Sequence, residues 1–149
     1  MRPLRIAFDV GGVLSKYPHV FLPLLRALHE SDGVEVYIVS DMHPVENVIA
    51  LLALNDVPFC RDRVVCADYK NLGESCKAVL CDQLGIDLII DDFPGYLAMI
   101  GVPPVRLLVM PDPTADYYHP EWRTDGSEGN FGRRNPPESK GPGRLKSGN

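Results

Sequence analysis

Five side chains stand out because each follows an apolar run and each can do chemistry. Asp9 follows LRIAF, Ser40 and Asp41 follow VEVYIV, and Asp91 and Asp92 close DLII. A carboxylate can act as a nucleophile and form a covalent intermediate. Separate acidic segments can hold Mg2+, a hard cation that prefers oxygen ligands. Such a metal neutralises charge on a phosphoryl group and on the carboxylate that attacks it. A hydroxyl such as that of Ser40 can donate to a phosphoryl oxygen, and a lysine can stabilise transition-state charge. The same residues also suit plainer work. Ser40 or Asp41 can cap the helix that follows, and Asp91 or Asp92 the helix starting at Pro94.

The elements that must position these groups are legible in the pattern. Leu4–Phe8, 34–39, Val64–Cys66, 87–90 and 105–110 are apolar runs of strand type, apolar on both faces. Between them, 20–29, 44–54, 74–84 and 94–100 carry helical spacing, with Pro44 placed early and Gly85 as a closing cap. Strands alternating with helices imply βαβ units and a parallel sheet. Near-continuous apolar strands agree, since parallel strands are covered on both faces. The expected fold is therefore a single Rossmann-like α/β domain over residues 1–111, with about five parallel strands and helices on both faces. In such sheets ligands bind beyond the carboxyl ends of the strands, near the point where strand order reverses. Asp9, Ser40, Asp41, Asp91 and Asp92 all fall at such ends. Residues 112–149 form a C-terminal extension. From about Thr124 it is rich in Gly, Pro and polar residues, and it is expected to be disordered. Tyr117, Tyr118 and Trp122 precede that stretch, placed either to pack on the body or to line a rim.

Composition narrows the function classes. The chain has 149 residues and a net charge of −5. Residues 1–111 hold 9 basic and 14 acidic residues, whereas the extension holds 6 of each, so the acidity belongs to the folded part. A nucleic-acid surface is not expected. No run approaches the roughly 18 apolar residues of a membrane span, and the apolar run from Leu4 stops at Asp9, so no secretory leader is expected. The four cysteines, Cys60, Cys66, Cys76 and Cys81, match no paired zinc spacing. Reduced, mostly buried thiols in a cytoplasmic protein are expected. Gly11 and Gly12 lack the GxGxxG pattern of a dinucleotide site.

Taken in order, these stretches resemble the haloacid dehalogenase superfamily. FDVGGVL matches its first motif, with Asp9 in the nucleophile position and Gly12-Val13 as the following pair. VYIVS matches the second, ending in Ser40. LIIDD matches the fourth, ending in Asp91 and Asp92. CKAVLCDQLGIDLIIDD supplies a lysine, a helix, an apolar strand and paired acids in the order and spacing of small members. The third-motif lysine has two contenders. Motif matching favours Lys77, fourteen residues before Asp91, over Lys70 in ADYKNLGE. The resemblance covers about residues 4–110. It implies a Mg2+-dependent hydrolase, a phosphatase acting through an aspartyl-phosphate. Asp9, Ser40 and Lys77 would be catalytic, and Gly12, Ser40, Asp41 and Lys77 would contact substrate. Asp9, the Gly11 carbonyl, Asp91 and Asp92 would hold the metal. The gaps 14–33 and 41–76 leave no room for the cap modules of larger members. An uncovered site is open to a phosphorylated small molecule, a phosphorylated macromolecule, or a partner subunit acting as lid.

Gly11 departs from the commoner pattern, which has an aspartate there as acid/base. Such help contributes about 10²–10⁴-fold. Four outcomes fit its absence. One is a phosphatase drawing its acid/base from Asp41, His43 or His19, and another is a slow phosphatase or phosphotransferase. The others are a dehalogenase, whose halide leaves without a proton, and a non-catalytic protein that binds a ligand or partner.

Overall fold

The computed structural model describes residues 1–57, 59, 61–101, 103–110 and 118–124. Five strands form one sheet: β1 (Leu4–Phe8), β2 (Val34–Ser40), β3 (Val64–Cys66), β4 (Leu88–Asp91) and β5 (Val105–Leu108). The order is β3-β2-β1-β4-β5 and every pairing is parallel. The chain runs outward through β1, β2 and β3, then restarts on the other side of β1 with β4. Strand order therefore reverses between β1 and β4.

Side-chain alternation splits the core into two layers. Ile6, Phe8, Val36 and Ile38 point to one face. They meet Leu22 and Leu25 of α1 (Pro18–His29) and Val48, Leu51 and Leu52 of α2 (Val45–Leu54). Ala7, Tyr37, Val39 and Ile89 point to the other face. There they meet Cys81 of α4 (Cys76–Leu84) and Leu97 of α5 (Pro94–Met99). A period of two in β1 and β2 thus serves two helix layers, as the apolar strands required. Burying each large apolar side chain such as Phe8 contributes about 1.5–3 kcal/mol.

Element ends differ from the sequence expectation where local chemistry overrides periodicity. The first helix starts at Pro18, whose fixed φ suits a first helical turn. The stretch 74–84 is not one helix. Asp68 accepts the Asn71 N–H at 3.2 Å and caps a separate short helix, α3 (Tyr69–Leu72), and a tight turn over Gly73–Ser75 leads into α4. Lys70 therefore sits on this short helix. Gly85 closes α4 at φ 62°, as expected. Strands β2 and β4 run one residue further than read, so Ser40 and Asp91 are the last residues of their strands.

Residues 118–124 pack back on the body. Trp122 is buried in the layer formed by α1 and α2. The Asn55 side chain brackets the Arg123 backbone, donating to its carbonyl at 2.8 Å and accepting its N–H at 2.7 Å. The His119 N–H donates to the Ser15 carbonyl at 2.8 Å, just after the β1 turn. The expected disorder beyond Thr124 falls outside the described residues, as do Pro58, Cys60 and Tyr117.

Candidate functional site at the carboxyl edge of the sheet

Three strand exits and one helix converge where strand order reverses. Asp9 leaves β1, and its N–H donates to the Ile90 carbonyl of β4 at 3.0 Å, which fixes the two exits side by side. Asp91 ends β4 with no exposure at all. Lys77, at the second position of α4, is also fully buried. Its Nζ lies 2.9 Å from Asp9 Oδ1 and 2.5 Å from Asp91 Oδ2. The second Asp91 oxygen accepts the Phe93 N–H at 2.9 Å. Lys77 is therefore the lysine brought to the carboxylates, and Lys70 is exposed on α3.

Asp92 completes an acidic cluster. Ligand oxygens of Asp9, Asp91 and Asp92 lie within 4.8 Å of one another. Its carboxylate rests directly on Gly12. A Cβ there would fall 2.0 Å from Asp92 Oδ2, and Gly12 itself has φ +72°, so any side chain would displace the acid. The Gly12 N–H donates to Ser15 Oγ at 3.2 Å, which closes the β1 turn. Gly11 is extended at φ −67°, ψ 130°, and brings no side chain to the cluster.

The electrostatics are unbalanced. Burial works against the charge on Lys77, but the carboxylates of Asp9 and Asp91 outweigh it and hold the ammonium well above its usual range. Asp9 is pushed well above the carboxylate range by burial first and by Asp91 second, with Lys77 pulling the other way. Asp92 is pushed up to about 6, again by burial and then by Asp91. Three carboxylates thus share one ammonium. A set of hard oxygen donors lacking positive charge fits a divalent cation such as Mg2+.

Ser40 is buried, and its Oγ accepts the Met42 N–H at 3.1 Å, leaving the hydroxyl proton to donate elsewhere. Neither Ser40 nor Asp41 caps α2. That helix is preceded by Pro44 and has no side-chain cap. Instead Asp41 accepts the Tyr96 hydroxyl at 2.7 Å. The Tyr96 ring lies over Lys77, 4.7 Å from Nζ to centroid. Tyr96 was not foreseen, because a tyrosine on an amphipathic helix reads as core. Nor does Asp91 or Asp92 cap α5, which is preceded by Phe93 and has no side-chain cap bond.

The other acid/base candidates are engaged elsewhere. Exposed His43 pairs its Nε2 with the Ala67 carbonyl at 2.8 Å. His19 lies against the His119 ring at 5.2 Å. A cavity of about 260 Å³ next to His19, Arg26, Asn55 and Arg123 shares no lining residue with the carboxylates. Within its lining, Arg26 donates to the Asp56 carbonyl and Arg123 to the Asp56 carboxylate. Cys76 and Cys81 are buried and Cys66 half-buried, all three free thiols. Burial pushes both Cys66 and Cys81 up to about 11, which makes them poor nucleophiles. No helix among the described residues is long and apolar enough to cross a membrane. Comparison with family models, curated proteins and solved structures returned no match.

Proposed function

We propose that the chain is a Mg2+-dependent hydrolase of the haloacid dehalogenase type that cleaves phosphate monoesters through an aspartyl-phosphate on Asp9. The observation that carries this reading is the trio of carboxylates around one buried ammonium at the β1/β4 reversal. Perturbed, charge-deficient clusters of this kind are where function concentrates.

Asp9 and Asp92 offer the oxygens least committed to other partners, and Asp91 adds a third to the metal set. Bound Mg2+ would neutralise charge on the phosphoryl group and on the carboxylate beside it. An oxygen of Asp9 attacks phosphorus, an Asp9 O–P bond forms and the ester P–O bond breaks. The ester oxygen departs with the bonding pair and takes a proton from solvent, because Gly11 supplies none. Water then attacks the acyl phosphate, releasing inorganic phosphate and restoring the Asp9 carboxylate. Lys77 holds positive charge beside the attacking oxygen, and the Ser40 hydroxyl would donate to a phosphoryl oxygen. A leaving group that needs no proton is the better substrate, so aryl phosphates should turn over faster than alkyl phosphates by about 10²-fold or more.

Turnover of para-nitrophenyl phosphate with Mg2+, wild type against Asp9→Asn, tests this. Wild-type turnover that vanishes in Asp9→Asn and with chelator supports the reading. Absence of turnover together with absence of a Mg2+-dependent thermal shift overturns it. Gly11 gives one specific reason to keep a second reading, a non-catalytic protein that binds a phosphorylated ligand at the same edge. That reading expects the Mg2+ thermal shift with no turnover.

A further inference from the structure

We propose that Tyr96 is a positioning residue that holds the Lys77 ammonium between Asp9 and Asp91, with Asp41 as the anchor of its ring. Its catalytic consequence rests on the phosphoryl-transfer reading above; the geometric claim does not.

A lysine ends in a compact charge on a flexible four-carbon stem. Two carboxylates attract it, but attraction from Asp9 and Asp91 alone does not set where between them the nitrogen rests. The Tyr96 face supplies another wall. Its centroid lies 4.7 Å from Nζ, within the range where an aromatic face attracts a cation. The ring is itself held at three points. Its hydroxyl donates to Asp41 Oδ2 at 2.7 Å. Phe93 meets it edge-on at 4.8 Å, and Tyr69 edge-on at 6.1 Å. Tyr96 is buried, as is the ammonium, so the contact is out of water. Burial and the Asp41 carboxylate both push the phenol upward, so it stays a donor and the tether persists across working pH.

The arrangement gives Asp41 a role other than the substrate contact expected from sequence. Asp41 leaves β2, Tyr96 stands early in α5, and Lys77 starts α4. Through the ring, the exit of the second strand is coupled to the acids at the exits of the first and fourth. A tyrosine that only filled volume would be replaceable by leucine with no change at the ammonium.

The test uses the full chain labelled with 15N-lysine. A buried ammonium in two ion pairs exchanges slowly and gives a resolved 1H–15N signal, while solvent-exposed lysines do not. The signal of Lys77 is assigned by its loss in Lys77→Arg. Tyr96→Phe keeps the ring and should retain the signal at a shifted position. Tyr96→Leu should broaden it beyond detection while the backbone amide spectrum stays folded. Asp41→Ala, at a half-buried position, serves as a second variant and should weaken the signal without removing core volume. In parallel, para-nitrophenyl phosphate kinetics with Mg2+ should show kcat falling about 10-fold in Tyr96→Leu and about two- to three-fold in Tyr96→Phe, with KM within two-fold. An unchanged ammonium signal in both Tyr96→Leu and Asp41→Ala overturns the positioning role. Signal loss in those variants, in a protein whose wild type does not turn over, supports the positioning role and rejects the phosphatase reading.

Discussion

The two ends of the same sheet treat charge in opposite ways. At the amino edge, Arg2 pairs with Asp87 at 2.6 Å and Arg5 with Glu35 at 2.8 Å, and Arg63 adds a longer contact to Glu35 at 3.3 Å. Three cations serve two carboxylates, and water reaches all of them. Asp87 is held below its ordinary range, first by the Arg2 hydrogen bond, and Glu35 likewise by Arg5. At the carboxyl edge, one ammonium serves three carboxylates, and two of those are pushed up instead. Exposed pairs in which every carboxylate has its own cation fasten strands at little gain. A buried, unbalanced cluster has no structural use that a balanced one would not serve better. The imbalance is what a cation or an incoming group would correct.

Substitutions at the two edges should therefore differ in size and in sign. Lys77→Met leaves Asp9 and Asp91 buried without their ammonium, and its unfolding free energy should fall by about 3–5 kcal/mol in urea titrations. A loss below about 1 kcal/mol would break the contrast, since the cluster would then be screened as the amino edge is. Asp92→Asn removes one of three crowded charges. With chelator present it should stabilise the protein by about 1 kcal/mol, raising Tm by about 3–5 °C, while abolishing stabilisation by Mg2+. Destabilisation in chelator would mean that the acids are already balanced.

The smallest effect belongs to the amino edge. The Asp87 carboxyl is depressed in the folded state, so its contribution is present above its unfolded value of about 4 and is lost as pH falls through the folded value. Asp87→Asn should cost a little stability at pH 7, less in 0.5 M salt, and the difference from wild type should close toward pH 2–3. A difference that grew in acid would reverse the assigned sign.

The resemblance of FDVGGVL, VYIVS and LIIDD to one superfamily pointed to the strand exits, and the structure brings Asp9, Asp91, Asp92 and Lys77 together there. Apolar runs with abrupt acidic ends are strong signals because a parallel strand has no other reason to change character so sharply. Spacing alone separated Lys77 from Lys70 weakly; burial separates them outright. What escaped was contact across the sheet. Tyr96 lies 55 residues from Asp41 in the chain, and no local pattern couples them. Of the two placements open to Tyr118 and Trp122 in the sequence, packing on the body is the one observed. Trp122 stands in a polar stretch, and its burial depends on a groove supplied by α1 and α2.

The most direct test of the central claim is a crystal soaked with Mg2+ and beryllium fluoride. The account predicts trifluoroberyllate bonded to an Asp9 oxygen, Mg2+ between Asp9 and Asp92, and the Lys77 ammonium beside the fluorides. Density for neither group, with Lys77 still closed on Asp9 and Asp91, would contradict it.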